Sequence, residues 1–187
     1  MGNNMTALVR EGILQKHAFN AVLTVFGAVL CQVVVAGDDD HSQVFLEQLG
    51  DNTAQIQESG DDNRISVSQV NVSGANTTVL TLGGEDNRAR VEQRGGFLAA
   101  VFTLNEGGDN RATLLQRGEH GHLSVQLDGD RNRFDVEQGF SNHADELALN
   151  VSVSGYGNRG VLSQAGSGHS MSVSALGTGN GVFARQR

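Results

Sequence analysis

One pattern recurs six times along the chain: a glycine, two residues, an asparagine, five residues and a glutamine. Successive motif asparagines lie 22 to 26 residues apart, while the spacing inside the motif is constant. A constant motif joined by variable connections is typical of solenoid repeats, in which each repeat is one structural unit. The six copies are Gly60, Asn63 and Gln69; Gly84, Asn87 and Gln93; Gly107, Asn110 and Gln116; Gly129, Asn132 and Gln138; Gly155, Asn158 and Gln164; and Gly177, Asn180 and Gln186.

The residues within and between the motifs alternate in polarity. The second and fourth residues after the motif asparagine are mostly apolar, as with Ile65 and Val67 in the first copy. These two residues share their parity with the asparagine and the glutamine, so all four lie on one face of a strand. Weaker segments with the same alternation separate the motifs. The sequence therefore predicts an all-β fold, a β-solenoid whose strand-turn-strand rungs are about 22 residues long.

Stacking of these rungs is the next expectation, because a two-strand unit cannot bury its apolar row alone. We predict six rungs over residues 52–187, preceded by a short segment, residues 37–51, with an edge strand near Val44–Gln48. Rungs about 4.8 Å apart would align like residues in columns. The motif glycines then form turns, and the motif asparagines and glutamines form ladders of side-chain amides. Proline, which would interrupt such pairing, is absent from the sequence.

The first 36 residues have a different character. Arg10 and Lys16 precede an apolar run over residues 18–36, and small residues end the run, which predicts an export signal cleaved after Ala36. Cys31, the single cysteine, would leave with it, so the mature chain would contain no thiol and no membrane span. Two alternatives stay open at this point: a retained membrane anchor and lipidation at Cys31.

The repeats resemble those of the curlin family over about residues 48 to 187. The run Gln-x-Gly-x-x-Asn-x-Ala-x-x-x-Gln is the shared pattern, and residues 107–116 match it nearly letter for letter. The resemblance implies a structural subunit of extracellular amyloid fibres on a Gram-negative cell surface, with roles in the biofilm matrix and in adhesion. It implies export through a dedicated outer-membrane channel, self-assembly and a companion curlin as partner. Residues 93–102 and 185–187 resemble the nucleator-type curlin more than the major subunit.

One departure from the family pattern concerns the glutamine expected before each motif turn. Without it, one of the two expected glutamine columns is largely missing, which weakens amide laddering on that side. At this position the sequence has Glu58, Leu82, Asn105, Leu127, Val153 and Ala175.

The charge pattern argues against a nucleic-acid partner. The formal net charge is −8, and no basic stripe with interleaved aromatic residues is present. The competing class of function is a monomeric secreted solenoid, such as an ice-binding protein, a carbohydrate-active enzyme or an adhesin module. Threonine is too sparse for a regular ice-binding row. We predict no enzymatic activity, no cofactor and no metal.

Three side-chain groups have open interpretations. Arginine follows the motif asparagine in five copies, at Arg64, Arg88, Arg111, Arg133 and Arg159. Stacking would align them into a surface for an anionic polysaccharide or a membrane, or into a solvated face neutralised by aspartates 62, 86, 109 and 130. The acidic turn residues could bind Ca²⁺, although a role in slowing premature aggregation is favoured. Residues His120 and His122 could hold a metal, but no third ligand is evident.

Overall fold

The computed structural model describes residues 20–26, 29–36, 41–71, 74–105, 107–139, 147–165 and 168–186. These residues form strands and turns without a helix, so this part of the chain offers no helical segment able to span a membrane. The strands are β1 (Asn20–Phe26), β2 (Val29–Ala36), β3 (Gln43–Leu49), β4 (Asn52–Ser59), β5 (Arg64–Val70), β6 (Thr77–Gly83), β7 (Arg88–Gly96), β8 (Ala99–Asn105), β9 (Arg111–Glu119), β10 (Gly121–Asp128), β11 (Arg133–Gln138), β12 (Leu147–Val153), β13 (Arg159–Gln164), β14 (Ser170–Ala175) and β15 (Gly181–Gln186).

The strands divide into two parallel sheets according to their order in the chain. The odd-numbered strands form one eight-stranded sheet, here the odd sheet, and the even-numbered strands form a seven-stranded one, the even sheet. Each motif glycine lies in the turn from an even strand to the next odd strand. From β4 onward, one even and one odd strand make one rung, and each strand pairs with its counterpart in the next rung. The predicted all-β solenoid with rungs of about 22 residues is thus confirmed.

The core lies between the two sheets, and each rung contributes a single layer of inward side chains to it. Alternate residues point inward, as the burial of Ile56, Ile65, Leu80 and Phe134 shows. Full burial of such a side chain stabilises the fold by about 1.5–3 kcal/mol. Because neighbouring strands are in register, each inward residue also packs on its counterparts above and below. Stacking therefore completes a core that no single rung could form.

The motif turns require glycine for two reasons. Gly84 has a φ of 92°, in the left-handed region that residues with a Cβ rarely adopt. A Cβ on Gly84 would also lie 2.1 Å from the carbonyl oxygen of Gly107 in the next rung. At Gly177, in the last rung, the nearest atom to such a Cβ is 3.9 Å away, on the Asn180 side chain. The glycine column is therefore closely packed inside the stack and open at its C-terminal end.

Strands β1 and β2 lie within the predicted export signal and stack on the N-terminal end of the solenoid. The β1 strand pairs with β3, and β2 pairs with β4. Residues 1–19 and 37–40, which include the basic start of the signal and the residues after the predicted cleavage site, lie outside the described residues. With β1 in place, β3 lies between β1 and β5. The expected edge strand therefore depends on removal of residues 1–36, which stays a prediction.

Candidate functional site

A continuous column of seven buried or half-buried glutamines runs through the odd sheet. In each step the side-chain Nε2 of one glutamine donates to Oε1 of the glutamine in the next rung, at 2.5 to 3.2 Å. Every bond points the same way, toward the C-terminal rung. Each amide inside the column is thus both a donor and an acceptor, which satisfies polar groups buried in an apolar core. The column contains Gln48, Gln69, Gln93, Gln116, Gln138, Gln164 and Gln186.

The two ends of this column have complementary chemistry. At the N-terminal end, Oε1 of Gln48 is buried and has no hydrogen-bond partner in the described part of the chain. The residue in register with Gln48 on β1 is Val25, a residue type that has no side-chain donor. At the C-terminal end, Gln186 accepts a bond from Gln164 at 3.2 Å. Within the described ranges, the column therefore begins with a free acceptor at Gln48 and ends at the amide group of Gln186.

The motif asparagines also form a column, but it bonds differently from the expected side-chain ladder. The Oδ1 atom of each asparagine accepts the backbone N–H of the asparagine in the next rung, at 2.9 to 3.1 Å. The Nδ2 atoms donate to backbone carbonyls of the motif turns, for example from Asn87 to Gly107 at 2.8 Å. A direct bond between side chains joins Asn110 to Asn87 at 3.1 Å. The asparagines therefore hold the turns against the neighbouring rungs, because their short side chains bond to nearby backbone groups instead of to the next asparagine side chain.

The last inward position of the even strands carries a mainly apolar column. Its members are fully or nearly fully buried, and Glu58 at its start accepts hydrogen bonds from Ser42 Oγ at 3.0 Å and Asn63 Nδ2 at 2.6 Å. The register corrects one position of the sequence interpretation: the third member is Leu104, not Asn105, because β8 pairs Leu104 with both Leu82 and Leu127. The column comprises Glu58, Leu82, Leu104, Leu127, Val153 and Ala175.

The motif glycines lie directly beside the asparagine column. All six have positive φ angles, between 78° and 139°. The carbonyl groups of several of them accept the asparagine Nδ2 bonds, as Gly84 does from Asn63 at 2.8 Å. The structure thus brings the glycines and the asparagines together in one turn column. The motif glutamines lie apart from them, at the far ends of the odd strands.

The sequence pattern placed Gln48 in an edge strand but did not assign it to the glutamine column, which it begins. The motif asparagine position in this copy is occupied by Ser42, and the motif glycine is absent. A signal was nevertheless present, because Val44, Leu46 and Gln48 repeat the spacing of Ile65, Val67 and Gln69, and the two strands pair in that register. Ser42 Oγ also takes over the asparagine role by accepting the backbone N–H of Asn63 at 3.2 Å.

The C-terminal end of the stack exposes residues that are buried at inner rungs. Strands β14 and β15 are the outermost strands of their sheets. On β15 the inward residues Val182, Ala184 and Gln186 are half-buried, and the outward Phe183 is 77% exposed. One further rung placed on this end would complete the burial and the backbone pairing.

The histidines and the acidic turn residues make no metal centre among the described residues. No group of three or more histidine, cysteine, aspartate or glutamate side chains comes together there. His120 stacks on Phe97, with ring centroids 5.3 Å apart and an angle of 7° between the ring planes. Asp62 lies 4.0 Å from His41, and Asp130 accepts the backbone N–H of Gly108 at 2.9 Å. Each of these contacts joins residues of neighbouring rungs.

The five arginines that follow the motif asparagines form one exposed column on the outer face of the odd sheet. The strand register aligns each with the next, from Arg64 to Arg159. The neutralising contacts expected from aspartates 62, 86, 109 and 130 are not found within ion-pair distance of this column in the described residues. One carboxylate does approach it, Asp135, at 3.7 Å from Arg133.

Comparison with known proteins gives one match. A family model described as curlin associated repeat matches residues 84–118, the segment from the Gly84 turn through most of β9. No curated protein and no solved structure matches the chain. The matched segment contains two motif glycines and two motif asparagine and glutamine pairs in the middle of both columns.

Proposed function

We propose that this chain, in which residues 84–118 match the curlin associated repeat, is a structural subunit of an extracellular curli-type amyloid fibre. The observation that carries the proposal is the complementarity between the two ends of the stack. In the part of the chain that the structure describes, one end of the stack has an unsatisfied amide acceptor at Gln48, and the last rung at the other end presents the amide group of Gln186. Outermost strands carry unpaired backbone groups that template pairing with another chain. A second copy is the partner that matches both the backbone and the side chains.

In the proposed fibre, β15 of one copy pairs in parallel with β3 of the next. The register inside the odd sheet aligns Gln164 with Gln186 and Gln48 with Gln69. Continued across the junction, it places Gln186 beside Gln48 of the next copy, so that Nε2 of the first donates to Oε1 of the second. The glutamine column then runs through the fibre without interruption.

The same register brings together two other favourable pairs. Phe183, largely exposed in the single chain, comes beside Phe45 of the next copy. Arg185 comes beside Glu47, and the two charges are opposite and both exposed. Aromatic pairs and opposite charges on neighbouring strands each contribute roughly 0.2–1 kcal/mol. These outward pairs favour the junction and are absent from a slipped register.

The proposal includes removal of residues 1–36 as an export signal. The strands β1 and β2 occupy the end of the stack that the next copy would use. Cleavage after Ala36 makes β3 and β4 the outermost strands and exposes Gln48 to the donor from Gln186. Processing and polymerisation would thus be linked, since the same segment that directs export also covers the docking surface.

We propose a cell-surface fibre, supporting the biofilm matrix and adhesion, as the place of action. The proposal includes export through an outer-membrane curli channel and a companion curlin as partner, and the curlin associated repeat at residues 84–118 supports both. The nucleator role is slightly preferred over the major subunit because of the sequence of residues 93–102 and 185–187. A structural role without catalysis agrees with the curlin associated repeat and with a solenoid whose repeated asparagine and glutamine columns are buried along most of their length. The second candidate, a monomeric binding module or adhesin, is favoured only if the ends stay unpaired.

Fibre formation by residues 37–187 tests the function, and a charge exchange tests the junction. We expect the protein to form fibres with a meridional spacing of about 4.7 Å, and the full chain to elongate more slowly. The variants Glu47→Arg and Arg185→Glu should each slow elongation because they place like charges together. The double variant, with both exchanges, should restore the rate, as followed by thioflavin fluorescence with seeds of the same variant.

The control is Arg159→Glu, an equal change of charge on the neighbouring strand away from the junction. If residues 37–187 remain monomeric at high concentration, the fibre proposal is wrong and the binding-module alternative replaces it. If fibres form but the double variant grows no faster than the single variants, the fibre proposal stands and the register of the junction is wrong.

A further inference from the structure

The two outer faces of the solenoid differ in charge. Nine of the ten arginines in the described residues lie on strands of the odd sheet, and the tenth, Arg131, lies in the turn that leads into β11. The even strands contain neither arginine nor lysine. Their outward residues are mainly serine, threonine, glutamine, alanine and valine. Positive charge is thus concentrated on one face of a chain whose formal net charge is −8.

Within the odd sheet, the arginine column is regular and largely unneutralised. Its five arginines follow one another at successive rungs, on neighbouring strands about 4.8 Å apart. Arg88, Arg111 and Arg159 have no carboxylate oxygen within 4.0 Å in the described part of the chain, in contrast to Arg90 and Arg94, which both pair with Glu92. Like charges on neighbouring strands destabilise a sheet. An external anion that spans several rungs would remove this repulsion.

We propose that the arginine column binds a linear anionic polysaccharide whose sugars carry carboxylates. Arginine binds carboxylate groups through two parallel hydrogen bonds, and a rigid column presents these groups at regular intervals along one line. An extended polyuronate likewise carries its carboxylates at regular intervals, along a flexible chain. The strand register holds the arginine backbones in place before binding, so the ligand meets an organised surface.

Nucleic acid fits the column less well. Duplex DNA carries one charge per about 1.7 Å of its axis, on two helical strands rather than one straight line. Single strands are usually held by aromatic side chains on which the bases stack. Among the described residues, one ring lies against a guanidinium of the column, that of Phe45, and the Arg64 guanidinium already covers it at 5.4 Å from the ring centroid. A polysaccharide carboxylate needs no such platform.

Binding to immobilised alginate, a linear polyuronate, tests the proposal with the full chain. The variant Arg88→Gln, Arg111→Gln and Arg159→Gln removes three of the four column arginines that have no carboxylate partner within the described ranges, and it keeps Arg64, which lies over Phe45. We expect its affinity to be at least about tenfold lower than that of the unmodified protein at low salt, on the basis of three exposed charge pairs. Affinity of the unmodified protein should also fall as salt is added.

The matched control is Arg90→Gln, Arg94→Gln and Arg117→Gln, which removes the same charge from the same sheet outside the column. It also breaks both ion pairs of Glu92, so this control changes the ion pairing of the sheet as well as its charge. We expect its affinity to fall by less than about threefold. Equal losses in the two variants, or no binding of alginate at all, would overturn the proposal. Tighter binding of a short DNA duplex to the same column would replace the polysaccharide with nucleic acid.

Discussion

From β3 onward, one inward position near the end of each strand differs in chemistry between the two sheets. In the odd sheet this position carries seven glutamines joined by hydrogen bonds. In the even sheet it carries mostly leucine, valine and alanine. Both columns are buried along most of their length. The hydrogen bonds of the glutamine column thus have one direction along the stack, whereas the apolar contacts of the other column have none.

The difference shows how a narrow core can define its register. An apolar column tolerates a shift of one strand by two residues along its neighbours, because leucine packs on valine as well as on leucine. The glutamine column does not tolerate it, because the shift places an apolar residue between two glutamines and leaves their buried amides without partners. The glutamine column therefore specifies the alignment of the rungs, and the apolar column contributes most of the burial.

The largest effect is expected from placing an isolated amide in the apolar column. Leu127 is completely buried between Leu104 and Val153, which offer no hydrogen-bonding side chain. Leu127→Gln should lower the free energy of unfolding by about 3–5 kcal/mol, because apolar burial is lost and a polar group is left without a partner. Urea denaturation of the monomer measures this. Leu127→Met, which preserves volume, should cost less than about 1.5 kcal/mol, and an equal cost for both would contradict the account.

A smaller loss is expected from removing one amide of the glutamine column. Gln116→Leu leaves Oε1 of Gln138 without its donor and Nε2 of Gln93 without its glutamine acceptor. The expected cost is about 2 kcal/mol, since buried polar groups lose bonds while apolar burial increases. Hydrogen exchange of β7 and β11 amides reports the local stability. The same substitution at the exposed Gln55 is the control and should change stability by no more than about 0.5 kcal/mol.

The smallest effect is expected where the apolar column starts with a carboxylate. Glu58→Gln keeps a side-chain oxygen that accepts from Ser42 and Asn63. The free energy of unfolding should change by less than about 1 kcal/mol, because a neutral hydrogen bond replaces a charge-assisted one while the cost of burying charge disappears. Thermal unfolding of the variant provides the comparison. A loss above about 3 kcal/mol would mean that the charge itself is required at this end of the column.

The fold was predictable from the sequence because two periodicities coincide. Alternation of apolar residues gave the strands, and the glycine, asparagine and glutamine spacing gave the turns and the rungs. The parity that joins Asn63, Ile65, Val67 and Gln69 on one face is also the parity found buried in β5 and its approach. Both periodicities are visible in short stretches of sequence, so they can be recognised without knowing which strands pair.

Features that depend on pairing between rungs were harder to predict. Assigning Asn105 to the apolar column was wrong by one residue, because connections of different length shift a position that only strand register defines. The bonding of the asparagines to the backbone depends on how near the next turn lies, which spacing does not show. The arginine column was aligned correctly, but the absence of aspartate contacts depends on side-chain directions in the turns.

The one-way hydrogen bonding of the glutamines has an electrical consequence along the axis of the stack. Backbone dipoles in a β-sheet largely cancel, because successive peptide groups point in opposite directions. The side-chain amide dipoles of the seven glutamines point the same way and add, as peptide dipoles add along a helix. The solenoid therefore has a partially negative end near Gln48 and a partially positive end near Gln186. A filament built from such units would lengthen its dipole with each subunit, and its two tips would attract ions and incoming molecules differently.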